Sequence, residues 1–116
     1  MARTKIVATN FEMFSGDTRV LAVLVLDQDG AVENITSSSA AFAIMKRHGQ
    51  TPLIAKAIGS GIVLIDPANG RLEVTLDPAD TEPLAGAHAY ELALTDNSGR
   101  KTTVLFGTIA ILRNSA

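Results

Sequence analysis

Apolar and polar residues alternate along much of this chain with the period of a β-strand. In one short segment, Leu72, Val74 and Leu76 alternate with Glu73 and Thr75, the pattern of a strand with one buried face. Similar runs recur between turn residues at a spacing of about ten residues, which is typical of a β-sandwich or a β-barrel. The pattern therefore predicts an all-β, antiparallel fold.

About eight strands are predicted, and together they form one domain. The predicted strands are 6–14, 19–26, 39–47, 53–57, 62–65, 71–76, 88–95 and 102–112. Two segments allow an alternative: 34–43 could cap a short helix, and 80–82 could form a single helical turn. We expect one β-sandwich domain over residues 1–116, with short flexible tails at both ends.

Two of the predicted strands are apolar on both faces, namely 20–26 and 103–112. A strand in a two-layer sandwich needs only one apolar face, so the second face must be covered by something else. A loop or short helix could cover it, or a second subunit could; the pattern leaves both possibilities open. The candidate interface residues are Leu21, Val23, Val25, Val104, Phe106 and Leu112.

Composition narrows the class of protein further. Apolar residues make up 47% of the chain but aromatic residues only 4%, so the core is predicted to be aliphatic. The net charge is −2 and no basic stripe is present, which argues against nucleic-acid binding. Cys is absent, so no disulfide or thiolate metal site is expected. The apolar run 20–26 is far too short for a membrane helix, and the first residues lack the features of a signal peptide.

Four local patterns resemble parts of known kinds of functional site, but none has all the residues that such a site requires. Residues 27–30 resemble the start of a calcium loop, but the later acidic ligands are missing. His48 and His88 lie on different predicted elements, with no nucleophile in a recognisable turn beside them. The glycines at 59 and 61 precede a strand rather than the helix of a phosphate loop. The glycosylation pattern at 34–36 lacks a secretory context. We predict no catalytic residue, no cofactor, no metal and no enzymatic activity.

The spacing Leu84-x-Gly86-x-His88-x-Tyr90 matches the corner before the sixth strand of immunoglobulin-like sandwiches. In those sandwiches a tyrosine and then an inward cysteine occupy the last two positions. We therefore expect His88 to hydrogen-bond the preceding turn and Tyr90 to fill the core in place of the missing Cys and Trp. The predicted fold is an antiparallel immunoglobulin-like β-sandwich of about seven to nine strands.

The turn motifs follow one another in a familiar order. They are Gly16-Asp17-Thr18, Asp29-Gly30, Ser39-Ala40-Ala41-Phe42, Gly59-x-Gly61-Ile62-x-Leu64-x-Asp66-Pro67-x-x-Gly70, Val74-x-Leu76-x-Pro78-Ala79-Asp80-Thr81, Leu84-x-Gly86, Tyr90-Glu91-Leu92 and Asp96-x-x-Gly99. This order resembles small tailed-phage and prophage virion proteins of immunoglobulin-like fold. It is similar to the N-terminal domain of phage baseplate upper proteins and to short tail- or fibre-associated proteins.

The resemblance implies a structural or adaptor module of a virion, assembled in the bacterial cytoplasm. Its expected partners are other virion structural proteins and further copies of itself, with no nucleic acid and no membrane. The alternative from another class is a receptor- or glycan-binding module, which an exposed Phe11 or Phe14 beside a polar pocket would favour. An enzyme would instead require His48 or His88 in a deep pocket against a carboxylate.

Overall fold

The computed structural model describes the backbone of residues 7–8 and residues 10–113 with their side chains. The strands are β1 (Val7–Ala8), β2 (Phe11–Phe14), β3 (Arg19–Leu24), β4 (Ser39–Met45), β5 (Ile54–Ile58), β6 (Gly61–Asp66), β7 (Arg71–Leu76), β8 (Gly86–Thr95) and β9 (Lys101–Leu112). A 3₁₀ turn lies at Pro67–Asn69, and helix α1 is Pro78–Thr81. The predicted all-β fold is confirmed. No helix in this described part is long and apolar enough to cross a membrane.

The strands form one mixed sheet that is nearly closed as a barrel. Their order is β1-β9-β8-β4-β5-β6-β7-β3, and β2 also pairs with β9. β1 and β2 pair with successive parts of β9, so both strands lie at the same end of the sheet. At the other end β3 pairs with β7. The cavity described below lies where these two ends approach each other.

The prediction of an antiparallel sheet is correct for most pairs but not for all. β1 and β2 run parallel to β9, and β5 runs parallel to β6 through the short register Ala57↔Gly61 and Ile58↔Ile62. The sandwich is therefore not established, and the sheet is mixed. The physical reason is that side chains alternate with the same period in parallel and antiparallel strands, so the pattern does not show strand direction.

Aliphatic side chains dominate the core, as the composition predicts. One contiguous cluster brings together inward residues from β2, β4, β6, β7, β8 and β9. Tyr90 lies at its centre, fully buried, with its ring 5.1 Å from that of Phe11 and 5.9 Å from that of Phe42. Tyr90 thus fills the core at the position where the corner spacing places it.

Several boundaries differ from the predicted ones for local reasons. The first predicted strand is interrupted near Asn10, whose Oδ1 accepts a hydrogen bond from Thr108 N at 2.9 Å. Residue 6 and the tail after Arg113 lie outside the described residues. β3 ends at Leu24 rather than two residues later. Segment 34–43 forms a turn and a strand, not a helix, whereas the helical turn expected near 80–82 is present as α1.

The turn between β6 and β7 depends on Gly70. Its φ is 73°, in the left-handed region that favours glycine. A Cβ at this position would lie 2.6 Å from Val25 O and 2.8 Å from Glu33 O. The 3₁₀ turn therefore ends at a residue that no side chain can replace without moving two backbone segments.

Candidate interaction site at strand β3

Within the described chain, the outer edge of β3 is a row of backbone hydrogen-bonding groups without a strand partner. Among the described strands, β3 pairs only with β7. Val25 N donates to Gly70 O at 2.8 Å and so extends the β3–β7 ladder by one position. Because these groups alternate in direction along a strand, the N–H and C=O of Val20, Ala22 and Leu24 point away from β7.

An apolar cavity of 340 Å³ borders this edge. One wall is β3 itself, and the opposite wall includes Phe11, Tyr90 and Val104. Arg19 is the one charged residue among those lining the cavity, and its guanidinium carbon lies 5.4 Å from the centre of the Phe11 ring. Burial raises the pKa of the Tyr90 hydroxyl above its ordinary value of 10.0, so this group adds no charge to the cavity. The cavity is thus an apolar slot with a single cation.

The outward side of β3, β7 and β6 forms a second surface, which we call the β3 outer face. Its apolar members are Val20, Ala22 and Leu24 on β3 and Val63 and Ile65 on β6. Between these two rows, β7 presents Arg71, Glu73 and Thr75. The register places Ala22 and Val63 beside Glu73, and Leu24 beside Arg71.

The structure corrects the predicted choice between the two faces of β3. Leu21 and Val23 pack against the core and line the cavity, and Val25 is only 2% exposed. Val25 is therefore not part of a free surface, and Leu21 and Val23, both partly buried, face the cavity rather than the outer side of the sheet. The exposed side is Val20, Ala22 and Leu24. Sequence reasoning missed it because both sides of this strand are apolar, so the sequence holds no signal for which one faces the core.

The predicted interface residues of β9 are also separated by the fold. Val104 is 4% exposed and belongs to the core cluster. Phe106 is partly buried, with its ring centre 5.9 Å from that of His48. Leu112 is exposed and pairs with Phe14 across β2 and β9. Only Leu112 of these three presents a substantial free apolar side chain.

Neither histidine lies in a deep pocket against a carboxylate. His48 Nδ1 is 4.0 Å from Glu91 Oε2, and both side chains are well exposed. His88 is buried, and its Nδ1 lies 3.1 Å from Gly86 O, at the start of its own strand β8 rather than in the preceding turn. Within the described residues, no group of three or more His, Cys, Asp and Glu side chains is arranged to hold a metal ion.

The acidic segment at 27–30 is a turn. Asp27 Oδ1 accepts hydrogen bonds from the backbone N–H of Asp29 at 2.9 Å and of Ala31 at 3.0 Å. One of its carboxylate oxygens is therefore engaged with the turn itself. The arrangement agrees with the hairpin-type turn expected from the sequence rather than with a calcium loop.

A mostly polar cleft of 580 Å³ lies between the β2–β3 turn and the segment after α1. The cleft is lined by Ser15, Gly16, Glu82, Pro83, Leu84, Ala85 and Arg113. Ser15 Oγ donates to Thr81 O at 3.0 Å, and Gly16 N donates to Thr81 Oγ1 at 3.0 Å, so the two walls are fixed to each other. Phe14, next to this cleft in the chain, is 49% exposed.

No family model and no curated protein matches this sequence. Among solved structures, an endo-fucoidan hydrolase of glycoside hydrolase family 107 is similar to 94% of this chain at 14% identity and a TM-score of 0.45. The chain spans only 13% of that enzyme's length. AggA, the major subunit of aggregative adherence fimbriae type I from Escherichia coli, is similar over 96% of this chain and 93% of its own, at 10% identity and a TM-score of 0.38. At these scores neither similarity supports an inference about function, and the chain's role must be argued from its own surfaces.

Proposed function

We propose that this chain is a non-enzymatic assembly module of a bacteriophage virion, associated with the tail, the baseplate or the fibres. The observation that carries the assembly role is the unpaired edge of β3 beside an apolar cavity. The virion setting, the phage partners and the self-association are supported by the order of turn motifs in the sequence. In this proposal a neighbouring structural protein supplies an extended segment that pairs with β3.

From Val20 to Leu24, and within the described residues, the edge of β3 carries no proline, charge or bulge of the kind that usually prevents strand pairing. Such edges are normally protected by Pro, by inward-pointing charges, by bulges or by a covering loop. From Val20 to Leu24 the strand is wholly apolar and regular, and its only charge, Arg19, stands at its beginning. The edge is therefore suited to strand addition, in which backbone hydrogen bonds give affinity and side-chain pockets give specificity.

The chemistry of the slot defines the segment that would fit it. Each hydrogen bond to the backbone of Val20, Ala22 or Leu24 would contribute about 0.5–1.5 kcal/mol. Apolar side chains at alternate positions would enter the cavity, each square ångström of buried apolar area contributing about 25 cal/mol. An acidic residue at one end would meet Arg19. The expected partner segment is thus an alternating apolar strand with one terminal Asp or Glu.

The test is incorporation into particles of chains that differ only at Ala22. The N–H of Ala22 points to the free edge, so Ala22→Pro removes one donor for the incoming strand without removing a bond to β7. Ala22→Val keeps the donor and is the matched control. We expect particles purified from an induced culture to contain the wild type and the Val variant, but at least tenfold less of the Pro variant. Circular dichroism checks that all three chains fold.

Two results would contradict the proposal separately. Equal amounts of the Pro and Val variants in the particles would show that assembly does not depend on strand pairing at the β3 edge. A wild-type chain that never co-sediments with particles would remove the virion assignment.

A second candidate function, binding of a surface glycan, is favoured by one observation. Phe14 is exposed, and the residue after it in the chain, Ser15, lines the polar cleft together with Glu82, although Phe14 itself does not line it. An aromatic platform beside convergent polar groups suits a sugar ring. Phe11, by contrast, packs against Tyr90 and is not available.

A glycan array followed by calorimetry tests this second function. If a glycan binds at the cleft, Phe14→Ala should weaken binding at least tenfold, because the platform is removed. Val63→Ala, an equally exposed truncation on another face, should leave it unchanged. An array without any bound glycan, or equal affinities of the two variants, would exclude this function.

A further inference from the structure

The β3 outer face carries a concentration of exposed apolar side chains that the proposed strand addition does not use. Nine large hydrophobic residues are exposed in the described part of the chain, and four of them lie on this face. They are Val20, Leu24, Val63 and Ile65, each between 43% and 56% exposed. The solvated face of a sheet normally carries polar residues. A covered state of this face is therefore expected.

The polar row between the apolar rows is self-complementary in charge. Arg71 and Glu73 are two positions apart on β7, so both side chains point outward from the same face. The ion pairs between described residues involve other side chains, namely His48–Glu91, Lys56–Asp77 and Lys56–Asp80. The β6–β7 register adds Asp66, which lies across a bulge opposite Arg71. The face thus presents one cation, Arg71, beside two acidic residues, and neither Arg71 nor Glu73 is in an ion pair within the described chain.

A twofold axis through Leu72 matches this pattern with itself. If two copies stack face to face with β7 antiparallel to its counterpart, Arg71 of each copy lies opposite Glu73 of the other. The same operation sets Leu24 opposite Ala22, and the bulged segment Ile65–Asp66 opposite Val63. Stacked sheets lie about 10 Å apart, which leaves room for a paired Arg and Glu between them. Such reciprocity is what an isologous interface requires.

We propose that the β3 outer face is a self-association surface, occupied by a second copy of this chain in a twofold dimer with reciprocal Arg71–Glu73 pairs. A second copy is the occupant that supplies both opposite charges and both apolar rows at the required spacing. The interface is distinct from the free edge of β3, so it goes beyond the proposed strand addition.

The size of the face sets the conditions of the test. Three strands about 4.8 Å apart and about 20 Å long give a footprint of about 300 Å² per copy. This is below the roughly 800 Å² per partner of a standard interface, so we expect dissociation constants in the micromolar range or weaker. Sedimentation equilibrium from 10 to about 500 µM, at low salt, covers this range.

Single charge reversals and their mixture give the decisive measurement. Arg71→Glu places two pairs of glutamates opposite each other in the dimer, and Glu73→Arg places two pairs of arginines opposite each other. Each variant alone should dimerise at least tenfold more weakly than the wild type. Mixing the two should restore association as a heterodimer, because every facing pair is then of opposite charge. The double variant R71E/E73R should also regain near wild-type affinity.

Arg47→Glu, a reversal on an exposed turn, is the control and should leave dimerisation unchanged. Circular dichroism confirms that each variant is folded. A wild type that stays monomeric up to 500 µM would overturn the proposal, and so would a mixture of the two reversals that forms no heterodimer. Neither result depends on particles, so this inference can fail while the proposed virion role stands, and the reverse.

Discussion

Tyr90 belongs to the core cluster and also lines the cavity beside β3. It is the one tyrosine of the chain, it is fully buried, and its ring meets Phe11 edge to face. Burial raises the pKa of its hydroxyl above the ordinary 10.0, because the phenolate would lose its hydration. The folded chain therefore keeps this proton at pH values where the unfolded chain releases it.

This difference predicts a loss of stability at alkaline pH. Tyr90 contributes its full stabilisation below pH 10.0, the ordinary pKa, and the contribution falls as the pH rises toward the higher folded pKa. Urea unfolding between about pH 8 and pH 11 should show a downward slope in the free energy of unfolding. Tyr90→Phe should remove the part of that slope due to this residue. Equal slopes for both chains would contradict the prediction.

For single residues, the sequence predicted the structural role correctly where the spacing of a known motif indicates it. The corner spacing placed Tyr90 in the core, and the structure shows this; it placed His88 against the preceding turn, whereas His88 Nδ1 contacts Gly86 O at the start of its own strand. It was uninformative for Val25, which is buried although it was assigned to a free surface. The reason is that the burial of Val25 depends on its pairing with the residue before β7, Gly70. The sequence around Val25 does not indicate this pairing.

Among the elements, α1 depends most clearly on tertiary contacts, which come from Lys56 and from the β2–β3 turn. A helix of four residues is not stable alone. Lys56 of β5 reaches it, with Nζ 2.7 Å from Asp80 Oδ2 and 3.9 Å from Asp77 Oδ2. The same Asp80 oxygen accepts a hydrogen bond from Asp77 N at 2.7 Å. One largely buried lysine thus helps to hold the helical turn that directly precedes the segment lining the polar cleft.

Removing the charge of Lys56 should loosen this element. Lys56→Met keeps the apolar stem but leaves the partly buried Asp80 without its cation, which should lower the free energy of unfolding by about 1–3 kcal/mol. Lys46→Met, on an exposed position, should change it by less than about 0.5 kcal/mol. Chemical denaturation measures both. A smaller effect at Lys56 than at Lys46 would contradict this account of α1.

Strand positions were predicted well, but strand partners were not. Every predicted strand overlaps an observed one, because alternation and turn residues are local signals. The parallel pairing of β2 with β9 joins residues almost a hundred positions apart, and nothing in Phe11–Phe14 indicates it. Pairing is decided by packing over long sequence separations, which one sequence does not reveal.

For the whole molecule, the important feature is that the sheet does not quite close. β3 is at one end of the strand order and the β1–β2 side is at the other, with the apolar cavity where the two approach. The sequence predicted spare apolar surface but not this gap, because the gap exists only once the strand order is known. The β3 outer face also depends on this strand order, which places β6, β7 and β3 side by side.

The near-closure of the barrel limits how many segments the molecule can accept. A strand that paired with β3 there would use up the backbone groups of this edge that have no partner among the described strands. Growth by repeated edge-to-edge stacking, the route to fibrous aggregates, would then be blocked at this seam. Binding should therefore saturate at one segment per chain, which gives the module a fixed valence in any particle it joins.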